Sequence, residues 1–154
     1  MKAVLNPIEQ SGIAIVEFVI VLPLLLLLML GTAEFGHALF QYNTLTKAVR
    51  DSARYLAANA RLGSTGVIAI SSPMRTIAQN LIVYGNPVGS GSALLPGFTR
   101  DAVIIVTEGS DHIRVTAAYD YVPMLFPDSL PTFGLGSPIS LNFTLKASVT
   151  MRGL

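Results

Sequence analysis

Between Gly12 and Gly31 the chain reads IAIVEFVIVLPLLLLLML, and every residue of this run is apolar or proline except Glu17. A helix needs about 20 apolar residues to cross the hydrocarbon core of a bilayer, with a lower bound of about 17. The run therefore suffices for one membrane span. A carboxylate inside such a span costs roughly 2.5 kcal/mol or more, so Glu17 calls for a reason. Whatever follows is held at a membrane by this span, or packed by it into an assembly.

The remaining composition agrees with that setting. Charged residues are 12% of the 154 residues, against about a quarter in soluble domains. The net charge of +1 is too small to imply nucleic-acid binding and there is no basic run, so no nucleic-acid partner is expected. With no cysteine in the chain, disulfides, thiolate metal sites and a cysteine nucleophile are excluded. The length fits one small domain plus an anchor, with a modest core and no large enclosed active site.

Four segments follow: a leader at 1–12, a transmembrane helix at 13–31, its extension outside the membrane at 32–61, and a small extracytoplasmic domain at 62–154. An ordinary secretory signal has a shorter apolar core, followed by a small-residue cleavage site. Here the small residue that looks like a processing point, Gly12, precedes the run, so cleavage there keeps the helix on the mature protein. Lys2 and the amino terminus on the short flank favour a cytoplasmic N-terminus.

Beyond Gly31 an apolar stripe continues through Phe35, Leu39, Tyr42, Thr46, Val49, Ala53, Leu56 and Ala60. Its steps of four and three residues give the seven-residue repeat of a helix–helix seam. A helix over 13–61 is roughly 70 Å long at 1.5 Å per residue. Pro23 removes one internal hydrogen bond and is a candidate kink. Gly63, Ser64 and Gly66 are expected to end the helix. A second helix is expected over 73–84, with Ser72 as N-cap, Gly85 as stop and Ile77, Leu81 and Tyr84 as its apolar face. Residues 85–98 read as a loop.

The last third alternates with period 2. Strands are expected over 102–107 and 112–121, joined by a turn containing Gly109. Residues 122–138, with four prolines, read as a loop. A third strand is expected to run unbroken over 139–151. The fold class is thus α+β: a long N-terminal transmembrane and amphipathic helix packed on a small antiparallel sheet of about three strands, with one further helix.

A short leader ending in Gly, an apolar helix with Glu five residues later, and a small α+β domain together resemble the type IV pilin-like proteins. The details are similar to the TadE-like minor pilin or pseudopilin family of tight-adherence (Flp-type) pili. They are Val16-Glu17-Phe18, Leu22-Pro23 before a leucine run, Glu34-Phe35-Gly36, and Asn43 followed by Ala48, Arg50, Ala53 and Arg54. Val115, Ala117, Tyr119, Tyr121 and Pro123 also look like a strand of that family. The leader carries Glu9-Gln10-Ser11 where such leaders commonly have a Lys/Arg pair.

The resemblance implies processing between Gly12 and Ile13 by a prepilin peptidase on the cytoplasmic side of a bacterial inner membrane. It also implies other pilin-like subunits and the pilus assembly machinery as partners. Physical chemistry supplies a role for Glu17: one helical turn from Ile13, it can reach the new amine of its own chain or of a neighbour. Snorkelling to the headgroups is the plainer reading of the same residue. Glu34 and His37 are too few for a metal site and read as part of an interfacial helix face. His112 reads as a solvated turn residue. No cofactor, metal site or catalytic group is expected, and the expected chemistry is association through Glu17, Phe18, Pro23 and the seam. An uncleaved scaffold of the pilus machine, or a tethered module with an apolar ligand pocket between sheet and helices, are the alternatives.

Overall fold

The structure is a computed structural model that describes residues 7–61 and 67–154, with the side chains of the first helix described from Gly12 onward. The apolar run and the alanine-rich stretch after it form a single helix, α1 (Pro7–Asn59). Gly12, Pro23, Gly31 and Gly36 all lie inside it. The helix starts ahead of the expected residue 13 and stops short of residue 61. Its last turn closes when Asn59 Nδ2 donates to the Tyr55 carbonyl at 2.7 Å. The chain then forms an isolated bridge between Arg61 and Ile68, and Ala69 N–H donates to the Ala60 carbonyl. The expected stop signals Gly63, Ser64 and Gly66 lie outside the described residues.

Two compact units share α1. The larger comprises Ala38–Val122 and Phe143–Leu154. It contains helix α2 (Ser72–Tyr84) and the strands β1 (Val103–Glu108), β2 (His112–Asp120) and, further along the chain, β5 (Thr144–Arg152). The three strands form an antiparallel sheet in the order β1-β2-β5, with β2 in the centre. Along β2, Ile113, Val115, Ala117 and Tyr119 are buried while His112, Arg114 and Asp120 are exposed. That is the alternation its sequence predicts for a sheet with one covered face. Leu45, Val49, Ala53 and Leu56 of α1 join that face in one core, together with Ala78, Ile82 and Val83 of α2. Leu95 and Phe98 of the 85–98 loop complete it. Phe98 meets Tyr119 edge to face, with ring centroids 5.4 Å apart.

Helix α2 differs from its expected form in two details. Its N-cap is Ser71, whose Oγ accepts from Met74 N–H, and not Ser72. The cap moves one residue back because Ser71 holds extended backbone while Ser72 is already helical. Gly85 ends the helix in the left-handed conformation, as expected. The buried residues are Ala78, Asn80, Ile82 and Val83, whereas Ile77, Leu81 and Tyr84 are half-buried. The face is rotated because the small Ser52 and Ala78 let α1 and α2 approach. Ser52 Oγ donates to the Ala78 carbonyl at 3.0 Å.

The smaller unit comprises α1 up to His37 together with Pro123–Asn142. Within it, β3 (Ser129–Leu130) and β4 (Ile139–Ser140) pair antiparallel. Residues 122–138 therefore contain a short strand and are not wholly loop. The expected strand over 139–151 is likewise split at Leu141, Asn142 and Phe143. Two features force the break. The β2 strand runs on into Pro123, which has no N–H for a ladder, so the last bond on that side is Tyr121 N–H to the Phe143 carbonyl at 2.9 Å. On the other side of the break, Leu141 N–H donates to the Asp128 carbonyl. The architecture is α+β: a long apolar N-terminal helix, one further helix, a three-stranded antiparallel sheet and a two-stranded ribbon.

Candidate functional site

On α1, Gly12, Ile13, Val16, Glu17 and Ile20 share one open, shallow, mostly apolar face. Ile13 and Glu17 stand four residues apart, the spacing at which helix side chains meet. Glu17 is exposed, and among the described residues nothing bonds to it. Phe18 is exposed beside it, and Pro23 is half-buried one turn and a half further on. The backbone stays helical across the bond between Gly12 and Ile13. The helix is long and apolar enough to cross a membrane, and none of its most apolar window is covered by the rest of the chain.

A second carboxylate behaves in the opposite way. Glu34 is 3% exposed. Its two oxygens accept from Leu125 N–H at 2.6 Å and Met124 N–H at 3.2 Å. These N–H groups follow Pro123, where the strand ladder has ended, and they need acceptors. Bonds from backbone N–H to a carboxylate are charge-assisted and stronger than neutral ones. Glu34 is thus a buried anchor of the Pro123–Asn142 segment, which corrects its reading as part of an interfacial helix face.

In the larger unit, Gln41 plays a related part. It is 1% exposed, and its amide pairs with both backbone groups of Val122. Nε2 donates to the Val122 carbonyl at 2.8 Å, and Oε1 accepts from Val122 N–H at 3.3 Å. Neither Glu34 nor Gln41 was found from the sequence as a contact residue. Hydrophobic periodicity places polar residues outward, and only the proline-rich stretch at 123–138 hinted that nearby N–H groups would need side-chain acceptors.

The seam residues fall into two groups. Val49, Ala53 and Leu56 are fully buried in the core of the larger unit. Phe35, Leu39 and Tyr42 are exposed. In this first half of the extension, the inward positions belong to Glu34, Gln41 and Leu45, so the aromatic and leucine side chains stand on the outside. Arg50 and Arg54 are exposed on the same helix. A cleft of about 360 Å³ lies between α1, α2 and the following loop, lined by Lys47, Asp51, Leu81 and Leu94 among others. It does not lie between sheet and helices, where the ligand-module alternative would put a pocket. His112 is exposed, with Nδ1 2.7 Å from Asp111 Oδ1.

The segment that carries Glu17, Glu34, Gln41 and the exposed half of the seam is also the one that comparison with known proteins picks out. Residues 12–54 match the family described as TadE-like protein. Over that stretch the N-terminal helix is similar to the TadE-like family. No curated protein and no solved structure matches the chain. The match ends inside α1, so α2, the sheet and the Pro123–Asn142 segment are described by the structure alone.

Proposed function

We propose that this protein is a minor pilin or pseudopilin that supports assembly of a tight-adherence pilus for adhesion or secretion. The similarity of residues 12–54 to the TadE-like family supports a place in tight-adherence pilus systems. The finer reading rests on one observation: an exposed carboxylate at Glu17, with no partner among the described residues, on an apolar helix and one turn from Ile13. An ion of that kind in lipid is costly until it finds a positive partner. Cleavage after Gly12 creates one, the Ile13 amine. Pairing of Glu17 with that amine on a neighbouring subunit fixes register and draws helices together. The exposed Phe35, Leu39 and Tyr42 extend the contact surface beyond the membrane. The N-terminus faces the cytoplasm, the C-terminal part lies outside the inner membrane, and the chain acts by association and not by catalysis.

A second reading, an uncleaved scaffold fixed in the membrane, is favoured by two observations. The leader has Glu9-Gln10-Ser11 before Gly12, and α1 is unbroken across the bond that would be cut. The N-terminal mass of the protein from native membranes separates the readings, measured with and without the matching prepilin peptidase. A peptidase-dependent start at Ile13 is the expected result. Glu17→Ala should then reach the membrane but lower assembled pilus roughly tenfold or more, because about 2.5 kcal/mol or more is at stake at such a site. A Met1 start in both strains establishes the scaffold instead.

A further inference from the structure

The smaller unit shows an unusual combination of surface and backbone. Pro123–Asn142 holds a single charged residue, Asp128, yet Met124, Leu125, Phe133, Leu135 and Ile139 all expose their side chains. So many exposed apolar side chains in 20 residues are a liability on an ordinary aqueous surface and point to a contact. Its position on α1 is defined. Leu130 is buried against Gly31, where an added Cβ would meet its Cδ2 at 3.7 Å. Gly31 directly follows the apolar run. Between the ribbon and the helix lies an open groove of about 330 Å³ lined by Leu27, Leu28, Gly31, Phe35, Leu130 and Ile139, with Thr32. The hydroxyl of Thr32 is already spent on the Leu28 carbonyl at 2.6 Å, so the groove offers water little.

Part of the segment's backbone is already satisfied, as a low-dielectric setting, where unsatisfied N–H groups are costly, would require. Its four prolines have no N–H to satisfy. Met124 and Leu125 donate to Glu34, Leu135 donates to Thr132, and Leu141 donates to Asp128. We infer that Pro123–Asn142 is an interfacial collar. It seats among phospholipid acyl chains and glycerol groups at the face where α1 leaves the bilayer. The occupant is lipid because the collar is continuous with the membrane span itself and overlaps its last turn at Leu27 and Leu28. That span is at the short end for a bilayer, and the collar adds apolar surface where the helix runs out. With no Lys or Arg in the segment, seating depends on apolar burial and not on anionic headgroups.

The inference rests on the span reading of α1, and the test separates the two. The chain has no cysteine, so single-cysteine variants Met124→Cys and Leu135→Cys report on the collar and Leu24→Cys reports on the span. Each full-length variant, labelled with an environment-sensitive fluorophore, is placed in phosphatidylcholine vesicles with and without phosphatidylglycerol. Expected at all three positions is blue-shifted emission, quenched by spin-labelled lipid and poorly by aqueous iodide. At Met124 and Leu135 the response should be the same in both vesicle types. Lipid quenching at Leu24 with iodide quenching at the other two overturns the collar and leaves the span. Iodide quenching at all three overturns both. Blue-shifted emission at Met124 and Leu135 that ignores the lipid quencher and fades as protein is diluted in the vesicles overturns the lipid assignment in favour of a second copy of the chain.

Discussion

Three residues show how much can depend on one side chain. Glu34→Ala leaves two part-buried N–H groups, at Met124 and Leu125, without their acceptor. An unsatisfied buried donor costs about 1–3 kcal/mol, so for the two together a loss of about 2–6 kcal/mol is expected for the smaller unit. Amide hydrogen exchange at Met124 and Leu125 should speed up by two or more orders of magnitude, and Glu34→Gln should lie between the variant and the parent. Gly89 has φ of +74°, and a Cβ there would sit 2.7 Å from the Asn80 side chain. Gly89→Ala meets both backbone strain and a clash, and should lower the denaturation midpoint by the equivalent of about 1–3 kcal/mol. Tyr119 is buried, its hydroxyl donates to the Pro96 carbonyl at 3.0 Å, and burial pushes its phenol above 10.0. The folded state therefore keeps this proton when the unfolded state has lost it. The contribution is complete below the unfolded value of about 10 and falls as pH rises from there toward the folded value. Tyr119→Phe should lower stability at neutral pH by about 1 kcal/mol and flatten this alkaline loss, read by denaturant titration on both sides of pH 10.

At the scale of elements, helix α1 changes character along its length. From Ile13 to Leu30 its side chains are apolar apart from Glu17, and none of its most apolar window is buried. From Leu45 onward it is a core helix, with Leu45, Val49, Ala53, Leu56 and Ala60 buried. Leu56 is fully buried, and Leu56→Ala should cost about 2–5 kcal/mol through lost burial and the cavity left behind. Thermal melting of the detergent-solubilised protein measures it. Phe35→Ala, on the exposed stretch of the same helix, should leave that melt nearly unchanged, within about 0.5 kcal/mol. The strands show the converse of a continuous helix. An alternating sequence from Ile139 to Met151 becomes two strands in two different sheets, because its neighbour β2 meets Pro123 and has no donor to continue with.

For the whole molecule, the outcome is a chain with two kinds of apolar surface. One is buried in the larger unit, where the sheet, α2 and α1 share a core. The other is uncovered: the face around Ile13 and Glu17, the outward side chains of Phe35, Leu39 and Tyr42, and the apolar side chains of Pro123–Asn142. Uncovered apolar surface of this extent is unfavourable in water and needs lipid or partner subunits. Solubilised without detergent, the full chain should therefore self-associate, with a sedimentation profile that shifts to larger species as concentration rises. A variant without residues 1–31 should sediment as a smaller species under the same conditions.

The sequence by itself determined the elements whose signal is local. An apolar run interrupted only by Glu17 makes a membrane-competent helix, a Ser-Pro start and a Gly stop bound α2 to within one residue, and period-2 alternation with a Gly turn makes the β1-β2 hairpin. Each follows from backbone geometry and burial periodicity within one stretch of chain. The motifs around Glu17, Glu34 and Arg54 also sufficed to place the helix beside the TadE-like proteins. Only the tertiary structure decided which side of α1 faces inward between Glu34 and Leu45. There, the part-buried backbone N–H groups of Val122, Met124 and Leu125 take Gln41 and Glu34 as acceptors, and this outweighs the preference for apolar residues inside. It also decided where the last strand breaks, since that depends on which donors a neighbouring strand still has. Both are questions of hydrogen-bond supply between separated residues, some 80 to 90 positions apart for Glu34 and Gln41 and 22 for Tyr121 and Phe143, and no local pattern encodes them.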